Sequence, residues 1–77
     1  MSCEEDVKTL VDAGYKMNPY IGWWTRKAGG RRVEILPMPD RAQVTVYDGH
    51  ERKDDIIAMT LAIAIEAGDR WLEAGKL

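Results

Sequence analysis

The segment GWWTRKAGGRR (residues 22–32) constrains the fold of this 77-residue chain more than any other segment. Its Gly29-Gly30 pair suits the positive φ angles of a two-residue hairpin turn, so the flanking residues are predicted to pair as antiparallel strands. Side chains alternate along a strand, and the adjacent Trp23 and Trp24 must therefore point to opposite faces of the sheet. One tryptophan can fill a core, whereas the other needs a covering helix, a partner or a ligand.

The turn also predicts the register of this hairpin. Its strands are predicted over Ile21–Lys27 and Arg32–Leu36, and with the glycines at the centre Trp24 lies opposite Ile35 on the core side. Arg26 opposite Val33 shares that side, and the other side carries the pairs Trp23 with Leu36, Thr25 with Glu34, and Lys27 with Arg32. Like charges directly opposite each other are unfavourable unless they are screened, so we expect the last pair to face solvent or an anion.

A short helix is predicted over residues 3–13. Ser2 followed three residues later by Glu5 is a capping-box pattern, and the apolar residues that follow have the i, i+3, i+4 spacing of an amphipathic helix. Gly14 suits the left-handed conformation that ends many helices.

The second half of the chain predicts one more strand and a long helix. The segment 37–40, with its two prolines, is predicted to end the hairpin, and Gln43–Tyr47 to form a third strand. A helix is predicted over Lys53–Ala74, because Asp54 and Asp55 suit a helix N-terminus. Its predicted core stripe is Ile57, Leu61, Ala64, Gly68 and Leu72. The fold class is therefore α+β: one domain over residues 1–77, with a three-stranded antiparallel sheet in the order α-β-β-β-α and helices on one or both faces.

Three apolar residues of the predicted long helix fall outside its core stripe. Ile56, Met59 and Ile63 would form a connected ridge that the underlying sheet cannot reach. Two interpretations stay open: the first helix covers the ridge, or the ridge is a surface for self-association, as in a homodimer, or for a partner.

The charges of the chain are unevenly distributed. Five basic residues and no acid lie between Lys16 and Arg32, whereas the other sixty residues carry thirteen acids and six bases. The candidate partner-binding residues in and beside this basic hairpin are Tyr20, Trp23, Arg26, Lys27, Arg31, Arg32 and Tyr47. Such side chains dominate many protein interfaces, and the same mixture binds nucleic acid through base stacking and phosphate contacts. A third interpretation is that the first helix covers Trp23 and that the cations form a solvated hairpin tip.

Residue types that carry catalysis or bind metals are sparse. The only histidine, His50, lies in a predicted turn, and the only cysteine, Cys3, is followed by three acids that disfavour a thiolate. A metal site needs further ligands at suitable spacing, so we expect no catalytic residue, no metal and no cofactor. The acidic N-terminal segment does not have the pattern of a signal peptide, and the longest apolar run is too short to span a bilayer. We therefore expect a cytoplasmic protein.

Five segments follow one another in an informative order: DVKTLVDAGY (6–15), YIGWW (20–24), VEILP (33–37), VTVYDG (44–49) and IIAMTLAIAIEAG (56–68). This order resembles that of small phage-encoded proteins of the α–β–β–α sandwich type. In those proteins a strand with Gly-Trp precedes a second short strand and an alanine-rich closing helix. The present chain departs from them in its third predicted strand and its longer last helix. In size and lack of catalytic groups it is also similar to anti-CRISPR proteins, which act as plugs on Cas complexes.

The resemblance implies a non-catalytic inhibitor that blocks a functional surface of a CRISPR–Cas effector complex. Acidic residues of the body would face a basic groove of that complex, and the basic hairpin would add a second contact. The alternative is a small nucleic-acid-binding accessory factor that uses Trp23 and the hairpin cations. Steep salt dependence of binding to a naked oligonucleotide would favour the accessory factor, and tight binding to a protein complex alone would favour the inhibitor.

Overall fold

The computed structural model describes residues 3–77 of the chain. The predicted N-cap Ser2 lies outside the described residues. The elements in chain order are α1 (Cys3–Asp12), β1 (Lys16–Met17), β2 (Trp24–Ala28), β3 (Arg31–Met38), β4 (Arg41–Asp48), β5 (Glu51–Ala58) and α2 (Leu61–Ala74). The chain is α+β with a helix before and after an antiparallel sheet, as predicted, but the sheet has five strands and not three.

The strands form an antiparallel meander in the order β1-β2-β3-β4-β5. The hairpin of β2 and β3 has the predicted register, with Trp24 opposite Ile35 and Lys27 opposite Arg32. Its turn glycines, Gly29-Gly30, have φ angles of 59° and 81°, and positive φ at both central residues is what a type I′ turn requires. The sequence therefore predicted the register of this hairpin, but the first strand begins at Trp24 and not at Ile21, so the predicted pair of Trp23 with Leu36 is not formed.

β3 continues through Pro37, where the sequence predicted a break. Pro37 lies opposite Ala42, and the chain reverses two residues later at Pro39-Asp40. A proline removes only the hydrogen bond that its own N–H would make. Because β2 begins at Trp24, opposite Ile35, the ladder between β2 and β3 has already ended before Pro37. The missing N–H is therefore tolerated at this position.

The largest difference from the prediction lies at residues 51–58, which form β5 and not the start of a helix. In β5 the residue Ile56 lies opposite Val44, and the Asp55 carboxylate accepts a hydrogen bond from Gln43 Nε2 at 3.0 Å. An unpaired β4 would leave a row of backbone N–H and C=O groups without partners. Pairing across the sheet therefore overrides the local helix pattern that Asp54 and Asp55 suggested.

A second strand missed from the sequence is β1, whose two residues, Lys16 and Met17, pair with Thr25 and Trp24. A strand this short has no detectable alternation in the sequence. It depends on the edge of β2 for its conformation.

The last helix begins after Thr60, whose backbone is extended and whose Oγ1 accepts a hydrogen bond from the Ile63 N–H at 3.1 Å. It ends at Gly75, which has a left-handed φ of 71° and donates its N–H to the Trp71 carbonyl. The sequence placed Thr60 inside a helix and so missed its role as the N-cap. Among the described residues, neither helix is long and apolar enough to cross a lipid bilayer.

The buried core lies on one face of the sheet, which we call the core face. The buried strand residues alternate to this face and are Trp24, Val33, Ile35, Ala42, Val44, Val46 and Ala58. Leu10 of α1 and the buried residues Ala64, Trp71 and Leu72 of α2 belong to the same cluster. Both helices therefore pack on the core face, and Trp24 is the core tryptophan, as predicted.

The predicted stripe of the last helix is partly correct. Ala64, Gly68 and Leu72 are buried, as predicted. Ile57 belongs to β5 and is 57% exposed, so its assignment to the stripe was wrong. The sequence interpretation also overlooked Trp71, which is 8% exposed and is the largest side chain that α2 adds to the core.

Two residues of α2 set its distance from the sheet. At Gly68 a Cβ would overlap the Tyr15 hydroxyl and lie 2.9 Å from Val33 Cγ1. Three residues later, Trp71 Nε1 donates a hydrogen bond to the Tyr47 carbonyl oxygen at 3.0 Å. Because Gly68 has no side chain, the helix can approach the sheet closely. The Trp71 indole N–H then bonds the helix to the backbone of β4.

We predict that Gly68→Ala destabilises the fold by about 1–3 kcal/mol, the usual cost of overpacking, although alanine gains about 1 kcal/mol in helix propensity. Because the Tyr15 hydroxyl is the nearest obstacle, Tyr15→Phe should recover part of this loss. Chemical denaturation of the two single variants and the double variant measures the effect. An equal cost of Gly68→Ala in both backgrounds would show that Val33 alone limits the approach.

The Tyr15 hydroxyl should make stability depend on alkaline pH. Burial raises the pKa of Tyr15 well above its ordinary value of 10.0, and nearby Asp69 adds to the rise while Arg26 opposes it. A folded-state pKa above the unfolded one stabilises the fold below about pH 10, and this contribution is lost as the pH rises further. The wild type should therefore lose stability above pH 10 more steeply than Tyr15→Phe in denaturation at a series of pH values. Parallel curves would contradict this assignment.

Candidate functional site

The face of the sheet opposite the core carries neither helix, and we call it the open face. Its strand residues alternate with those of the core face and form rows across the strands. In order, the rows are Lys27, Arg32, Tyr47 and Arg52; Lys16, Thr25, Glu34, Thr45 and Asp55; Leu36, Gln43 and Ile57; and Met38 with Arg41. The interpretation in which the first helix covers this face is wrong, because Leu10 anchors α1 in the core on the other side.

The first of these rows, which we call the basic row, holds three cations and one aromatic ring. Lys27 lies opposite Arg32, Arg32 opposite Tyr47, and Tyr47 opposite Arg52. Side chains opposite each other in neighbouring strands are about 5 Å apart at Cβ. The four residues therefore form a continuous band across β2, β3, β4 and β5, beside the turns that end these hairpins.

Arg32 and Tyr47 are in contact with each other at the centre of the basic row. The Arg32 guanidinium lies 3.9 Å from the centroid of the Tyr47 ring, and its Nε lies 3.9 Å from a carboxylate oxygen of Glu34. Desolvation, followed by Glu34, raises the pKa of Tyr47, although Arg32 acts in the opposite direction. Tyr47 is thus a neutral ring at physiological pH, and a cation already stacks on it.

The other rows change in character along the strands. In the second row, Asp55 accepts hydrogen bonds from Gln43 and from the buried Thr45 hydroxyl. The third row presents Leu36, which is half-buried, and Ile57, which is exposed. The open face therefore grades from basic and aromatic at one end to polar and then apolar at the other.

The sheet divides the charges of the molecule. The open face carries five cations and two acids, Lys16, Lys27, Arg32, Arg41 and Arg52 against Glu34 and Asp55, a net charge of +3. The remaining six cations and eleven acids of the chain give −5. The predicted basic and acidic surfaces therefore exist, but they are defined by the two sides of a sheet and not by a hairpin and a body.

The structure splits the predicted basic cluster between these two sides. Arg26 and Arg31 lie on the core face: Arg26 Nη1 is 2.6 Å from Asp69 Oδ1, and the Arg31 guanidinium lies 6.0 Å from the Trp71 ring centroid. Only Lys27 and Arg32 reach the open face. Strand alternation causes the division, since the four cations are two adjacent pairs in sequence.

The predicted aromatic residues are also separated. Tyr47 lies in the basic row, whereas Tyr20 lies in the β1–β2 connection and is 94% exposed. Trp23 directly precedes β2 and is half-buried. Tyr47 is therefore the predicted aromatic that the pairing brings next to the cations.

The predicted ridge of Ile56, Met59 and Ile63 is not formed. Ile56 lies in β5 and packs against the core, Met59 precedes α2 and is 81% exposed, and Ile63 lies in α2. The ridge assumed one helix through all three residues, and the strand at 51–58 removes that assumption. The self-association inferred from it loses its structural basis.

Among residues 4–77, whose side chains the structure describes, no group of three or more His, Asp or Glu side chains is arranged to hold a metal ion. His50 is exposed in the β4–β5 turn. The chemistry that this arrangement offers is recognition through stacking, cation contacts and hydrogen bonds.

The sequence did not predict that two residues, Arg52 and Lys16, lie on the open face. Arg52 directly precedes the helix predicted from Lys53, and only the pairing of β5 brings it beside Tyr47. The sequence shows Lys16 as one of the cations of the basic segment, but only β1 places it opposite Thr25. Residues 52–57 are four charged residues followed by two isoleucines, so the sequence contains no alternation that could have indicated β5.

Comparison of the chain with protein-family models, with curated proteins and with solved structures found no match.

The two sides of the sheet should respond differently to loss of a cation. Arg31→Thr removes a guanidinium that packs on Trp71 and should cost about 0.5–1 kcal/mol of stability. Lys27→Thr removes a cation that faces Arg32, so stability should change by less than about 0.5 kcal/mol. Both variants keep a residue suited to strands, and urea denaturation compares them. An equal cost at both positions would contradict the division of the cluster.

Proposed function

We propose that this protein is a non-catalytic binding domain that takes up single-stranded nucleic acid on the open face of its sheet. The observation that carries the proposal is the basic row, in which three cations flank one tyrosine across four adjacent strands. Nucleic acid is the partner whose chemistry matches both parts, because its phosphates attract cations and its bases stack on rings.

The geometry of the sheet supports this partner. Strand pairing keeps the side chains of the row on one surface, where a chain lying across the strands can contact all of them. The stacked Arg32 and Tyr47 offer both an aromatic plane and a guanidinium plane, and unpaired bases stack on either. A duplex would present its bases only at the groove edges, so the flat row favours single strands.

The charge arrangement supports it as well. Lys27 and Arg32 lie directly opposite each other, an arrangement that costs free energy without a counter-ion. A bound phosphate backbone would remove this repulsion. The net −5 outside the open face would keep nucleic acid away from the helices and restrict binding to one surface.

Binding of a labelled single-stranded oligonucleotide, followed by fluorescence anisotropy, tests the proposal. The double variant Lys27→Thr, Arg52→Thr should weaken binding and lower the slope of log K against log salt by about 0.7 for each lost phosphate contact. Tyr47→Leu should weaken it by about 1–3 kcal/mol, the usual loss for one stacked base.

The matched control is Arg70→Gln, which removes an exposed cation from α2, paired with Glu66 at 2.7 Å on the other side of the molecule. It should leave the affinity unchanged. The same loss in the control and in the open-face variants, or wild-type binding without salt dependence, would refute the proposal.

A second candidate is the inhibitor of a CRISPR–Cas effector that the sequence resemblance implies. It is favoured by the acidic residues outside the open face, among them Glu66 and Glu73, which are exposed on α2. They would lie against a basic groove that normally receives nucleic acid.

Assays of target-DNA binding by a purified effector distinguish the two candidates. If the protein is such an inhibitor, reversal of charge in the double variant Glu66→Lys, Glu73→Lys should relieve inhibition more than the double variant Lys27→Thr, Arg52→Thr does, because the basic hairpin supplies only the second contact. Inhibition that needs the basic row and not the acidic residues would count against this second candidate.

A further inference from the structure

We infer that the open face contains a phosphate-binding subsite at the edge of the sheet, where β1 ends. This inference deepens the nucleic-acid proposal, on which it rests for its biological ligand, by naming the group that the edge recognises. The ligand class is a phosphate ester: one phosphate group, free on a nucleotide or within an oligonucleotide.

The subsite is a cavity of about 550 Å³ that includes Gly14, Lys16, Thr25, Lys27 and Arg32 in its lining. It exists because β1 has only two residues, so that β2 continues from Arg26 onward without a partner on that side. Gly14, with a φ of 91°, contributes no side chain to fill the gap. Its volume is within the range of small-ligand sites and exceeds what one phosphate needs, which leaves room for the attached sugar.

Two polar atoms of the lining residues are buried without a hydrogen-bond partner. They are Thr25 Oγ1 and Arg32 Nε. A carboxylate oxygen of Glu34 lies 3.9 Å from the Arg32 Nε atom, which is too long for a hydrogen bond. Leaving such donors unsatisfied is unfavourable, and a ligand with several acceptor oxygens would satisfy both.

The charge at the cavity favours an anion. Lys16 and Lys27 are exposed, and neither forms an ion pair within the part of the chain that the structure describes. Arg26 also lines the cavity but is paired with Asp69, and Glu34 is the one acid in the lining. Two free ammonium groups and one guanidinium against one carboxylate leave an excess of positive charge.

The geometry points to phosphate more than to a carboxylate. The Arg32 guanidinium lies over the Tyr47 ring, 3.9 Å from its centroid, and this contact restricts the directions of its N–H groups before any ligand arrives. A phosphate group offers at least two non-bridging oxygens with shared negative charge. It can accept from Arg32 and from the Thr25 hydroxyl while the two lysines lie around it. The subsite is contiguous with the basic row, so a strand on that row can place one phosphate in it.

The test is an NMR titration of the full chain with inorganic phosphate, against potassium chloride at matched ionic strength. We expect saturable shifts at the Thr25 and Lys27 amides and at Arg32 Nε–H, which chloride does not reproduce. Thr25→Val keeps the side-chain shape and removes the hydroxyl, and it should weaken phosphate binding roughly tenfold, as expected for one charge-assisted hydrogen bond. Lys16→Met should weaken it to a similar degree, and Arg70→Met should leave it unchanged.

Lys16→Met keeps the inference testable if Thr25→Val fails to fold. Lys16 is exposed on the two-residue strand, so its replacement should not disturb the core. Shifts that chloride reproduces, or phosphate affinity unchanged in both variants, would overturn the inference. Titrations with a nucleoside monophosphate and with the oligonucleotide show where the bound phosphate group comes from. Tighter binding of the monophosphate would indicate a nucleotide site. Tighter binding of the oligonucleotide would indicate a subsite for its phosphate backbone. Phosphate binding without oligonucleotide binding would refute the proposed function and leave the subsite standing. Oligonucleotide affinity that is unchanged in Lys16→Met and Thr25→Val would refute the subsite and leave the proposed function standing.

Discussion

The close packing of α2 on the sheet is the constraint on which the rest of the structure depends. Gly68 lets the helix approach Tyr15 and Val33, and the Trp71 indole donates a hydrogen bond to the backbone of β4. Tyr15, which follows α1, belongs to the same buried cluster, so the first helix is drawn to the same side. A domain of this size has one core, and placing both helices over it leaves the other face of the sheet uncovered.

Strand alternation then distributes the charges between the two faces. On the core face, Arg26 pairs with Asp69 and Arg31 packs on Trp71. Their sequence neighbours Lys27 and Arg32 lie on the open face. The four cations that form one cluster in the sequence therefore have two different roles in the structure. The pair on the core face stabilises the helix–sheet contact, and the pair on the open face is available to a partner.

The unequal lengths of β1 and β2 have a comparable consequence. A longer first strand would cover the edge of β2 and fill the cavity beside Thr25. The short strand instead leaves buried donors next to free ammonium groups, an arrangement that water or an anion can complete. The opposite edge, β5, carries charged residues from Glu51 to Asp55 and a bulge, features that discourage pairing with another sheet.

Local signals in the sequence determined the first helix, the β2–β3 hairpin with its register, and the burial of Trp24. In each case the deciding interaction lies within a few residues, as in the Gly29-Gly30 turn. Tertiary structure decided the conformation of residues 51–58, where the pairing needs of β4 outweigh a helix-like pattern. It also decided the candidate site, because Arg52 meets Tyr47 only across paired strands and Lys16 meets Thr25 only at the sheet edge. Contacts between distant segments have no periodicity in the sequence, and the open face is composed of such contacts.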